Sequence, residues 1–166
     1  IRSSARLSRV RSVYSDRTLS FFDSESRDAI GMGDVESDPE LLVGGAAPSG
    51  AGVTIAVLDT GVDATHPDLP FGTKVVQNVR VNTALNTGPG FLNPIPVEGV
   101  VNTDLVLGHG TSVASVAAGG VAGGGIHRGV APGAGILALS AGDLFITNVL
   151  EGFDYALDNA SRFGVK

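Results

Sequence analysis

Two short segments hold the residues best suited to chemistry. Asp59 closes the run Ala56-Val57-Leu58-Asp59-Thr60-Gly61, which continues through Val62-Asp63-Ala64-Thr65-His66-Pro67-Asp68-Leu69. His109 sits in Gly108-His109-Gly110-Thr111-Ser112-Val113-Ala114. An Asp fixed at a strand end can accept a hydrogen bond from one imidazole nitrogen. The other nitrogen is then free to take a proton from a hydroxyl and return it to a leaving group. A helix N-terminus at His109 disfavours a cation while Asp59 favours one, a balance that would keep the ring neutral and basic near neutral pH. Taken alone, Asp59 reads equally well as a turn residue before Thr60-Gly61.

The same stretch permits a second chemistry. Asp59, Asp63, His66, Asp68 and His109 are all of metal-ligating type, which admits a metal-assisted hydrolase. Their spacing contains no two-His helical motif, and Asp63 and Asp68 suit turn formation, with His66 in the loop before Pro67. The glycine run Gly119–Gly125 lacks both G-x-G-x-x-G spacing and a following Gly-Lys-Ser/Thr, so it reads as a helix exit rather than a phosphate cradle. His127, beside Arg128 in that loop, reads as exposed. Asn159-Ala160-Ser161 fits a glycosylation triplet but falls on a helix end.

The positioning elements follow from the apolar pattern. Val53 to Leu58 is apolar on both faces, which predicts a strand buried on two sides in a parallel sheet. Lys74 to Val81 is a second β-like run, and 82–103, dense in Asn, Gly and Pro, reads as a long surface loop. Thr111 to Ala118 has Val113, Val116 and Ala117 at helical spacing, so a helix starts close to His109. A strand is expected at Ile136 to Leu139. An amphipathic helix follows, with Phe145, Val149, Phe153 and Leu157 as its apolar stripe, Asp143 as N-cap and Gly164 as C-cap. This order predicts an α/β sandwich with a mostly parallel sheet. In such sheets functional groups gather beyond the carboxyl ends of the strands, where Asp59 lies.

Composition bounds the remainder. With 43% hydrophobic and 17% charged residues, the 166-residue chain is globular rather than disordered. A net charge of −6 argues against a nucleic-acid partner. Five arginines fall within the first 17 residues and seven acids between positions 23 and 40, which read as solvated surface, with a basic arm for an acidic partner as the alternative. The absence of cysteine excludes a disulfide framework, and no apolar run approaches the length of a membrane span. Residues 7–22 alternate weakly, as one or two short strands would. Residues 23–49 read as a loosely packed acidic linker.

The Asp and His segments together resemble the two signatures of the subtilase family, in that family's chain order of Asp, then His, then Ser. Gly129-Val130-Ala131-Pro132 is similar to the segment after the family's His helix. Ala156-Leu157-Asp158-Asn159-Ala160 resembles the helix leading into its next core strand. The resemblance covers 50–166 as the N-terminal part of a catalytic domain and implies a three-layer sandwich, incomplete in this chain. Asp59 would be the orienting carboxylate and His109 the general base and acid. Val10-Arg11-Ser12-Val13-Tyr14-Ser15-Asp16 resembles the last strand of the family's inhibitory propeptide, which would make 1–22 a propeptide remnant and 23–49 the maturation junction. A plain surface strand is the alternative for 1–22.

The family's nucleophile lies in a Gly-Thr-Ser-x-Ala-x-Pro segment. Gly110-Thr111-Ser112-Val113-Ala114-Ser115-Val116 shares five positions but has Val116 for the proline, and it lies inside the His motif, so Ser112 is expected to be structural. The nucleophile and oxyanion asparagine are expected after Lys166, and both chain ends read as cut. Loss of the serine costs on the order of 10⁶ in turnover, a magnitude measured on subtilisin itself, so this chain alone is expected to be inert. A sheet stopped midway would also leave apolar surface uncovered and lower its solubility. The resemblance further implies peptide or protein substrates with one contributing region near Ser140-Ala141-Gly142, a partner propeptide, secretion, no cofactor for catalysis, and structural calcium without assignable ligands. The non-enzymatic alternative is a catalytically dead scaffold.

Overall fold

The computed structural model describes residues 27–83, 94–105, 107–120, 128–142 and 146–166. Four strands, β1 (Thr54–Asp59), β2 (Val75–Thr83), β3 (Pro94–Val97) and β4 (Gly135–Ser140), form one sheet in the order β1-β4-β2-β3. Strands β1 and β2 flank β4 in parallel, and β3 closes one edge antiparallel to β2. On the opposite edge Thr54 bridges Val165 in parallel, and its N–H donates to Gly164 O at 3.0 Å. The helices are α1 (Met32–Ser37), α2 (His109–Ala118), α3 (Ile146–Asp158) and α4 (Ala160–Phe163).

The apolar run of β4 is buried on both faces, as a parallel strand between helices requires, and β1 packs Val57 fully and Ile55, Ala56 and Leu58 partly against the same two layers. In β4, Ile136 and Ala138 join Val57, Val75, Ala114 and Ala118 on the α2 side. Leu137 and Leu139 join Val79, Val81 and Tyr155 on the α3 side. The result is a three-layer α/β sandwich. A register shift between Val75 and Gln77 moves β2 from one face to the other partway along. That bulge is why Val75 and Val79, which simple alternation would place together, lie in different cores.

Several elements differ from the sequence reading. Strand β3 lies inside the stretch read as a loop. Pro94 and Pro96 obscure it, yet an edge strand tolerates residues without an N–H. The segment read as a loose approach carries α1 and a 3₁₀ turn at Pro39–Leu41. It is tied down by Arg27, which pairs with Glu36 at 2.7 Å and donates to Gly129 O at 2.5 Å. Residues 1–22, Asp143, Phe145 and His127 lie outside the described residues.

Both helix faces are turned relative to expectation. The buried positions of α2 are Gly110, Ala114 and Ala118, while Val113 and Val116 are exposed. In α3 they are Asn148, Gly152 and Tyr155, and Leu157 is 73% exposed. Small residues make up the α2 face, and Gly152 does the same within the α3 face, because they let the backbone approach the sheet. A Cβ on Gly152 would meet Leu58 Cδ1 at 2.5 Å. Gly164, with φ 70°, caps α4 rather than the longer helix before it.

Candidate active site

Asp59 ends β1 and His109 begins α2, and the fold brings them together. His109 Nδ1–H donates to Asp59 Oδ1 at 2.7 Å, and the same oxygen accepts the Thr60 N–H at 2.7 Å. The His109 side chain is 66% exposed and that of Asp59 20%. One ring nitrogen is held from within while the imidazole remains reachable from solvent. Its pKa is raised above the ordinary 6.5 by the hydrogen bond to Asp59, then by the carboxylate's charge, with a smaller contribution from Asp104. The balance expected from sequence is therefore tilted towards the cation.

The motif glycines make the approach possible. A Cβ on Gly110 would overlap the Gly61 carbonyl and lie 3.1 Å from Asp59 Cβ. Gly61 itself has φ 128° and abuts the Thr103 backbone, where no side chain fits. The end of β1 is also pinned by its neighbour. Ala141 N–H donates to Asp59 O at 2.9 Å and Ser140 Oγ to Thr60 O at 2.9 Å. Ser140 and Ala141, placed near substrate by resemblance, thus sit beside the pair through the β4 end.

A second layer of polar residues went unnoticed in the sequence. Asp104 is buried and accepts four hydrogen bonds: Thr60 Oγ1 at 3.2 Å, Gly108 N–H at 3.0 Å, Thr111 N–H at 3.1 Å and Thr111 Oγ1 at 2.6 Å. Burial pushes its carboxyl up, but these donors together outweigh burial and leave it below the ordinary value. Thr60 Oγ1 accepts the Gly110 N–H at 3.0 Å, and Thr111 Oγ1 accepts the Asp63 N–H at 3.0 Å. The preceding residue, Thr103, is anchored by fully buried Asn78, whose Oδ1 accepts its hydroxyl at 2.8 Å while Nδ2 donates to Val62 O at 2.8 Å. For this layer the sequence offers only an acid five residues before His109, just past the stretch 82–103 read as a loop.

The remaining candidates organise turns. Asp63 Oδ1 accepts the Thr65 N–H and hydroxyl at 3.0 and 2.6 Å, and the Asp68 N–H donates to His66 Nδ1 at 3.2 Å. Among the described residues no three His, Cys, Asp or Glu side chains converge as a metal site, so no ligand set for calcium is assigned. Ser112 lies within α2, and among the described residues its hydroxyl makes no hydrogen bond to the His109 ring. No helix among them is long and apolar enough to cross a membrane.

A carboxylate at a parallel strand end, bonded to a histidine at the head of a following helix, is an α/β arrangement that can orient an imidazole for proton transfer. The chain belongs to the subtilase family, whose model matches residues 50–163. Over 102 residues it is 35% identical to the "Subtilisin-like protease PopC" of Myxococcus xanthus, an alignment covering 61% of this chain and 17% of that protein. A solved psychrophilic protease superposes with a TM-score of 0.53 at 28% identity, covering 81% of this chain and 40% of the other. The chain thus spans less than half the length of either relative.

Proposed function

We propose that this chain supplies the Asp and His of a serine endopeptidase whose nucleophilic serine follows Lys166. The observation that carries this reading is the 2.7 Å Asp59–His109 hydrogen bond on a solvent-accessible imidazole, in a chain of the subtilase family. The serine hydroxyl adds to the peptide carbonyl as its proton passes to His109 Nε2. That proton then goes to the departing amine, leaving an acyl-enzyme. Water adds by the same route and releases the acid. Asp59 fixes the tautomer of the ring and stabilises the imidazolium. Peptide substrates and secretion follow from the same reading.

The test starts with the transcript beyond Lys166, where a core strand and Gly-Thr-Ser-x-Ala-x-Pro are expected. The longer product should then be labelled by a fluorophosphonate and should cleave peptides, with H109A lowering turnover on the order of 10⁶-fold. The 166-residue chain should take no label, Ser112 included. A longer product that takes no label would return the scaffold reading. H109A at full rate would overturn the assignment of His109.

A further inference from the structure

We propose that Asp104 is a positioning residue that sets the Asp59–His109 geometry, acting through Thr60 and Thr111. The inference rests on the reading of Asp59 and His109 as the working pair. It starts from how α2 is capped. The N-cap residue is Gly108, which has no side chain to accept the first-turn N–H groups. Those donors are satisfied from outside the helix instead. Gly110 N–H donates to Thr60 Oγ1, and Thr111 N–H donates to Asp104 Oδ2. The two acceptors are themselves joined, because Thr60 Oγ1 donates to Asp104 Oδ1.

Thr60 directly follows Asp59, and Thr111 lies two residues after His109. The bonds that cap the helix are therefore also the bonds that dock it on the end of β1. A carboxylate has about four acceptor sites, and Asp104 uses them on two backbone and two hydroxyl donors. Among the described residues no cation pairs with it. A buried carboxylate in that state is stable only while its donors stay in place, so any slide of α2 along β1 breaks several bonds at once. An interlocked cap of this kind holds the imidazole where a loose helix end would let it wander. Misplacement by about 1 Å costs catalysis on the order of 10²-fold.

Helix stability alone would also explain a cap, so the test must read the imidazole. NMR titration of the histidine rings in the full chain gives the His109 midpoint and the Nδ1–H signal. Asp104→Asn and Thr60→Val are expected to move the His109 midpoint down towards 6.5 and to weaken the Nδ1–H signal. Thr60→Ser, which restores the hydroxyl, is expected to keep both. Thr60→Val leaves the Asp104 charge intact, so its effect is geometric; where Asp104→Asn does not melt cooperatively, Thr60→Val against Thr60→Ser decides. Variants that melt lower yet titrate His109 as wild type would overturn the proposal and leave Asp104 a stabilising cap. Asp59→Asn separates the two readings. If it leaves the midpoint unmoved, the pair itself fails; if it moves the midpoint while the other variants do not, only the positioning role fails.

Discussion

Asp59 and the N-terminus of α2 act on His109 with opposite sign: the carboxylate favours the imidazolium, while unpaired first-turn N–H groups disfavour it. The contact at 2.7 Å prevails because the Gly110 and Thr111 N–H groups are already spent on Thr60 and Asp104. A group whose folded pKa is raised contributes stability that is complete below its unfolded value, here 6.5, and lost as pH rises through the folded value. The gap in urea midpoint between wild type and D59N is therefore expected to be wider at about pH 6 than at about pH 9. Equal gaps would mean that protonation of His109 is not linked to folding through Asp59. G110A tests the close approach itself. Its Cβ meets the rigid Gly61 carbonyl, so a loss of about 1–3 kcal/mol is expected in denaturant melts, together with a His109 midpoint nearer 6.5.

The packing of the elements turns on small residues. Leu139 is buried between layers, so L139A is expected to cost about 2–5 kcal/mol. Leu157, from the stripe the sequence pattern favoured, is exposed, and L157A should change stability by no more than about 0.5 kcal/mol. Comparable losses from the two variants in urea melts would refute this placement of the α3 face. The contrast also explains which elements were legible. Strands β1 and β4 could be read because continuous apolar runs have one stable setting, a sheet covered on both sides. The two helices were legible as elements but not in orientation, since Gly110, Ala114, Gly152 and Tyr155 make a contact face that hydrophobicity ranks below the valines and leucines beside it. The β2 bulge and the proline-bearing β3 leave no periodic signal. Asp59 and His109 were readable because their motifs are local. Asp104 was not, because its role depends on four donors that come together only in the fold.

At the scale of the whole molecule, two carboxylates tie distant segments to the sandwich. Glu36 joins Arg27 and Arg128, fastening the segment before β1 to the turn after α2. Glu98 accepts from Arg162 at 2.7 and 3.0 Å, from Tyr155 at 2.5 Å and from Gln77 at 3.1 Å, drawing the end of β3 onto β2, α3 and α4. The hydrogen bond from Arg27 holds Glu36 below the ordinary 4.5, and that from Arg162, followed by Tyr155, does the same for Glu98. The sign is opposite to that of His109. A lowered carboxyl contributes stability present above 4.5 and lost as pH falls through its folded value. These three groups together therefore favour a stability maximum between 4.5 and 6.5, with an acid limb set by the carboxylates and an alkaline limb by His109. Both ties reach solvent, so salt should soften the acid limb. Urea midpoints measured across pH for wild type, E36Q and E98Q would test this. The variants should lose stability above pH 4.5 and converge on wild type in acid, because protonation has already weakened the wild-type ties there. A constant offset at every pH would instead assign these residues a packing role, with the acid limb arising elsewhere.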